Sequence, residues 1–373
     1  MIGELKIMHP YKSLEEKFFW STAVAKRNMF DIADLWDPKF RIGKRMKVAT
    51  FGSCFAQHIG KALESRGFNW FISEPAPQGL HAENARNFNY GVFSARTGNI
   101  YTVSLLKQWV EWATGEKLVP DEYWEKDGRY YDPFRPNIEP EGFESKDEMV
   151  RSREAAIQAF KSNLTDSQVF IFTLGLTESW FNSEHGYEYP MCPGTVAGEF
   201  DAQKHRFVHQ DFPFIRKTLT NTIQAIKRLN PTIKFILTVS PVPLTATKSG
   251  NHVLVATMES KSILRAIAGT LSRQYDFVDY FPSYEIINST PYRAIFFEPN
   301  QRNVNQAGVD HVMNSFFACL NAKFPISEGV GEGEPRGRAT SKHLAQRQRK
   351  QGSAMATKEN VVCEEELLNA FSK

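Results

Sequence analysis

The chain has 373 residues, of which 42% are hydrophobic and 13% aromatic, enough to close a sizeable core and too many for a disordered polymer. Its 45 basic and 42 acidic side chains leave a formal charge of +3, a near balance that gives no reason to expect nucleic acid as a partner. Four cysteines, Cys54, Cys192, Cys319 and Cys363, stand far apart without CxxC spacing, which argues against a disulfide framework or a zinc site.

Taken in chain order, the N-terminus lacks the apolar stretch of a signal peptide, and no apolar run approaches the roughly 20 residues that would span a bilayer. The expected location is the cytoplasm. Residues 13–28, SLEEKFFWSTAVAKRN, carry the pattern of an amphipathic helix with Ser13 as N-cap and Glu16 closing a capping box. The reading is an N-terminal helical extension over residues 1–46.

Residues 47–51 then read as a buried strand, Gly52 and Ser53 as a tight turn, and residues 55–66 as a helix with Phe55, Ile59 and Leu63 on one face. The aromatic, Pro- and Gly-rich stretch 74–144 reads as an insertion or lid containing one helix at 102–112. Beyond it, strands at 169–173, 234–239 and 276–280 alternate with helices at 146–163, 214–229 and 254–274. That alternation predicts an α/β fold whose central parallel sheet is covered on both faces. Past Phe324 the composition turns to Gly, Glu, Ser, Arg and Gln, so residues 327–373 read as a tail, flexible to about 360, with a short helix at 364–371.

In an open parallel sheet, ligands bind beyond the carboxyl ends of the strands. Three predicted strands end there in small or polar groups: Gly52-Ser53-Cys54, Gly175-Leu176-Thr177-Glu178 and Ser240-Pro241. Cys54 falls at the start of a helix, where unpaired N–H groups favour a thiolate and can hold an oxyanion. The competing reading makes Cys54 a small buried hydrophobe and Ser53 only a cap.

The run Gly52-Ser53-Cys54-Phe55-Ala56 resembles the signature of the GSCFA family, and the stretches FTLGLTE (172–178), TVSPV (238–242), Ser260-Lys261 and YFPSYE (280–285) look like the same family. The resemblance spans about 47–324. It implies kinship with SGNH (GDSL-like) esterases and bacterial capsule-sugar acetyltransferases, and so an SGNH-like three-layer α/β/α domain over residues 47–326. Carried over, Cys54 takes the nucleophile position, with Ser53 as its rival. Gly52, Gly175 and Thr177 supply oxyanion contacts, Ser240 lies at the same edge, and Glu178 orients a histidine.

The Asp-x-x-His block of that superfamily should fall near residues 298–303, where there is no histidine. The base is therefore sought among His58, His81, His205, His252 and His311, with His252 preferred and His81 next. Lys261 can hold a carboxylate or phosphate, Tyr284 and Glu285 can line the pocket, and Arg96 can pair with an anionic cofactor. The aromatics Trp109, Trp112, Tyr123, Trp124, Tyr130 and Tyr131 can stack on sugars. The resemblance implies acyl transfer, chiefly acetyl, from coenzyme A to a hydroxyl of a sugar, polysaccharide precursor or glycolipid, without a metal. The alternatives are an O-acetyl esterase and a non-catalytic carbohydrate- or nucleotide-binding protein on the same fold.

Overall fold

A computed structural model describes residues 9–325 and 361–372. Four parallel strands make the central sheet: β1 (Val48–Gly52), then β4 (Val169–Leu174), β8 (Lys234–Val239) and β9 (Val278–Tyr280), side by side in that order. Between β1 and β4 in the chain lie the hairpin strands β2 (Trp124–Lys126) and β3 (Arg129–Tyr131), antiparallel to each other, with Tyr130 of β3 also bridged to Phe143. A separate antiparallel sheet, in the order β6-β5-β7, is built from β5 (Glu178–Asn182), β6 (Glu188–Tyr189) and β7 (His205–His209).

Period-two alternation feeds both faces of the central sheet. In β4, Phe170, Phe172 and Leu174 enter one core while Val169 and Ile171 enter the other. The first core is covered by α3 (Val103–Thr114), α4 (Lys146–Asp166), α5 (Phe212–Leu229) and α6 (Val253–Gln274). In α5 the contact residues Ile215, Leu219, Ile223 and Ile226 recur at helical spacing, and Asp211 caps its start by accepting from the Phe214 N–H at 2.8 Å. The second core is covered by α1 (Phe55–Ser65) and α8 (Gln306–Lys323), the latter through Val312, Met313, Phe316 and Leu320. The short helix α7 (Ser283–Asn288) adds Ile286 and Ile287 to the second core, and the short helix α2 (Ala82–Asn87) precedes α3. The result is the three-layer α/β/α sandwich that the sequence predicts.

One extended segment fixes where a site can form. The Val48 N–H donates to the Asn69 carbonyl at 2.9 Å and the Phe71 N–H to the Val48 carbonyl at 2.8 Å, so residues 69–71 lie alongside β1 on its free edge. In chain order the sheet thus runs outward both ways from β1. The reversal between β1 and β4 opens a crevice at their carboxyl ends, at Gly52 and Gly175.

Three expectations change. The predicted helix at 13–28 is a series of short 3-10 and π turns (Pro10–Ser13, Glu16–Phe18, Ser21–Ala25) with Phe18 and Trp20 exposed, so Ser13 caps no α-helix. Of its apolar residues only Val24 packs against the second core while Phe18 and Trp20 stay exposed, and a helix of that length with so little burial is marginal. The stretch 74–144 is not a lid throughout, because α3 brings Leu105, Leu106, Trp109 and Val110 into the first core. The helix predicted at 364–371 is present as a 3-10 helix, Glu364–Phe371, while residues 327–360 lie outside the described residues. No described helix is long and apolar enough to cross a membrane.

Candidate active site

The turn after β1 is built on Gly52. Its φ of +124° is open only to glycine, and a Cβ there would stand 2.2 Å from the Thr173 carbonyl oxygen. The close approach brings the Ser53 N–H to that oxygen at 3.0 Å and drops Cys54 at the head of α1. Ala56 and Gln57 are the first α1 residues whose N–H groups are tied back into the turn, to the Ser53 and Cys54 carbonyls at 2.9 and 3.1 Å. Gly175 packs against the same turn, since a Cβ on it would meet the Tyr101 carbonyl at 2.9 Å and the Ser53 Cβ at 3.1 Å.

Cys54 is 6% exposed, and what surrounds its sulfur is polar. The principal groups acting on it are Cys363, Glu365 and Arg302, and it acts in turn on Lys261 and Tyr101. A hydrogen bond to Cys363, then burial, raises the Cys54 thiol well above the ordinary thiol range. The same bond lowers Cys363, helped by the Arg302 guanidinium, whose nitrogens stand 3.8 and 4.0 Å from its sulfur. The contact therefore disfavours loss of the Cys54 proton and favours ionisation of Cys363 over Cys54.

Lys261 is fully buried in α6 and donates to the Gly175 carbonyl at 2.7 Å. Burial pushes its pKa down to about 8 against the partial support of Glu365.

The cysteine and glutamates come from the C-terminal segment, which lies in the crevice. Val362 exchanges two hydrogen bonds with the Gln57 amide, at 2.7 and 3.0 Å, and its carbonyl also accepts from Asn99 at 2.9 Å. The Glu364 carboxylate accepts from Tyr101 at 2.7 Å and from the Asn99 amide. Glu365 pairs with Arg302 at 3.3 Å and accepts from the Thr245 N–H, and Glu366 reaches Arg302 at 3.4 Å. Beyond it opens a cavity of about 540 Å³ walled by Leu105, Leu176, Trp180, Phe200, Leu368 and Phe371 among others. Tyr101 and Glu365 belong to both the Cys54 surroundings and the cavity wall.

The residues singled out from sequence fare unequally. Cys54, Gly52, Gly175, Ser53 and Lys261 come together. Ser53 is buried with its hydroxyl unpartnered, so nothing stands ready to take its proton. The Gly175 N–H is not free for an oxyanion, since it and the Leu176 N–H donate to the Tyr101 carbonyl at 3.1 and 3.0 Å. Thr177 is fully buried with an unpartnered hydroxyl, and Ser240 is buried with its hydroxyl 3.4 Å from the Val242 N–H. Glu178 lines the cavity, holds Thr247 and sits in register opposite His209 across β5 and β7.

The histidines are elsewhere. His252 is exposed at the N-cap of α6, where its ring accepts from the Leu254 N–H at 3.2 Å. It is thus spent on its own helix, and no described histidine is among the principal groups acting on Cys54. His81 is exposed at the N-cap of α2. His205 accepts from the Asp201 N–H at 3.0 Å, His311 packs among Phe30, Tyr292 and Phe296, and His58 lies against Phe55 in α1.

Arg96 is a structural cation. Its guanidinium is buried between Glu74 and Glu139 and stacks on Tyr90, 4.1 Å from the ring centre. Glu285 holds Arg265 and Tyr280. Trp109 and Trp112 are buried in the core, and Trp124, also buried, borders a separate crevice with Glu122, Tyr187 and His205. Sequence reasoning missed Arg302, although it lies in the stretch where a histidine is sought. The chain delivers a guanidinium to the Cys363 sulfur there instead of an imidazole. Among the described residues no group of three His, Cys, Asp or Glu is placed to hold a metal.

Fold and site together define a three-layer α/β protein with a cysteine at its sheet's switch point, and with the buried Lys261 and the half-buried Arg302 in the same crevice. The chain belongs to the GSCFA family, whose family model matches residues 47–316. No curated protein and no solved structure matches it.

Proposed function

We propose that the protein transfers an acyl group, chiefly acetyl, to a hydroxyl of a carbohydrate or glycolipid through a thioester on Cys54. The observation that carries this reading is the Cys54 turn at the head of α1 packed against Gly175, whose carbonyl holds the buried Lys261 amine at 2.7 Å. With a pKa of about 8, Lys261 is a free amine in a useful fraction of molecules near neutral pH, and it replaces the imidazole as proton acceptor. The amine takes the thiol proton, and sulfur attacks the acyl carbonyl. The unpaired N–H groups of the first helical turn, at Cys54 and Phe55, meet the oxyanion. As the donor's leaving sulfur or oxygen departs, it collects the proton from the Lys261 ammonium. In the second half the acceptor hydroxyl gives its proton to Lys261 and attacks the thioester, and the Cys54 thiolate that leaves takes the proton back from the Lys261 ammonium. The donor that suits a cytoplasmic enzyme is acetyl-coenzyme A, and the resemblance to SGNH esterases and capsule-sugar acetyltransferases points the same way.

Intact-mass measurement after brief exposure to acetyl-coenzyme A tests this. We expect one acetyl adduct in the native chain and in Ser53→Ala, and none in Cys54→Ala. An adduct that forms with an aryl acetate but not with acetyl-coenzyme A would move the reading to an esterase. No adduct from either donor would leave a binding protein.

A further inference from the structure

Arg302 lies in the loop before α8, on the second-core side, yet its side chain reaches across the crevice and is only 13% exposed. It has no carboxylate partner within the folded body of residues 9–325 among the described contacts. Its ion pairs are to Glu365 and Glu366, and the Glu365 carboxylate beside it is itself nearly buried, with a side chain 11% exposed. One guanidinium N–H, at Nε, is buried with no acceptor. A cation removed from water is stable only with an anion at hand. The anion here arrives on a segment separated from α8 by residues 326–360.

The groups that receive this segment make a graded set. Arg302 and the Thr245 N–H take Glu365, Asn99 and Tyr101 take Glu364, and Leu368 and Phe371 continue into the apolar cavity. Seated this way, the segment covers Cys54 and keeps its proton in place.

We infer that Arg302, with Thr245, Asn99 and Tyr101, is an anion subsite for a substrate bearing a carboxylate or phosphate, and that Glu364 and Glu365 occupy it in competition with that substrate. This rests on the acyl-transfer reading only for the word substrate; the binding event stands without it. A guanidinium grips either oxyanion through parallel N–H bonds, which is why one side chain suits both. The neighbouring cavity then takes the apolar remainder of the ligand.

The test uses the full chain in three forms: native, Glu364→Gln with Glu365→Gln, and that pair with Arg302→Gln. Iodoacetamide labelling of Cys54, read by peptide mass, reports whether the segment has left. Calorimetric titration with inorganic pyrophosphate in one arm and succinate in the other reports anion binding and tells phosphate from carboxylate. We expect the double variant to label at least about tenfold faster than the native chain and to bind one of the two anions, with Arg302→Gln weakening that binding by about 30-fold or more. The native chain should bind the same anion more weakly than the double variant. Unchanged labelling in the double variant would overturn the proposal, because the carboxylates would then not hold the segment. Fast labelling with neither anion bound would overturn it too, leaving Arg302 as a counter-ion for the segment alone. Neither readout needs turnover, so a missing acetyl adduct would remove the chemistry and leave the subsite standing.

Discussion

At the scale of single residues, the unusual assignment is the lysine. A buried ammonium whose pKa falls from its ordinary 10.5 to about 8 presents a free amine above that pH rather than far above it. If Lys261 takes the thiol proton, acyl transfer rises as pH climbs through about 8 and levels off beyond it. Lys261→Arg keeps the charge and donates to the same carbonyl, but cannot give up its proton. We expect it to remove that rising limb of the pH profile and to lower turnover by about 100-fold or more. Arg96 provides the contrast. Arg96→Ala strands Glu74 and Glu139, both largely buried, so it should cost about 3–5 kcal/mol in chemical denaturation while leaving affinity for pyrophosphate or succinate unchanged. Gly52→Ala should fail to yield folded protein by circular dichroism, since its added carbon would meet a backbone oxygen that cannot move.

At the scale of elements, what could be read from sequence depended on burial. The four central strands were legible because each is a nearly continuous apolar run between turn residues, and all of β1 and β4 is buried. The small sheet β5–β7 was not. β6 has only two residues, too few for alternation to show, and the half-buried five-residue strands β5 (ESWFN) and β7 (HRFVH) carry no clean apolar–polar alternation. The turn holding Cys54 was legible as a motif, but its partners were not. Arg302 and Cys363 lie about 250 and 300 positions away in sequence, and no local pattern announces which loop reaches which crevice. The short helix at the C-terminus was visible, whereas its seat was not. That seat places two thiols in hydrogen-bond contact. With hydrogen peroxide as oxidant, one thiol passes through a sulfenic acid that the other displaces, water leaves, and a Cys54–Cys363 disulfide remains. Peptide mapping without reductant should find that cross-link in the native chain and far less of it once Glu364→Gln and Glu365→Gln release the segment.

At the scale of the whole molecule, one buried carboxyl ties stability to pH. Glu188 is 1% exposed beside Thr102 and Gln108, and burial pushes its pKa up to about 7. The folded chain therefore prefers it protonated. Its contribution is fully present below about pH 4.5 and declines as the pH rises toward 7, by an amount on the order of 3 kcal/mol. Glu188→Gln should flatten that slope, so that denaturation midpoints of the variant and native chain differ most at pH 8 and least at pH 5. The same carboxyl lines the apolar cavity, so the pH that loosens the fold also puts a charge in its wall.

The closing segment has one more implication, which concerns time. It follows in the chain every element on which it rests, so a ribosome makes it after them. At about 5–20 residues per second, a few seconds separate the appearance of α8 from that of Val361. The crevice therefore exists before its occupant does, and each newborn molecule is briefly open to whatever anion lies within reach.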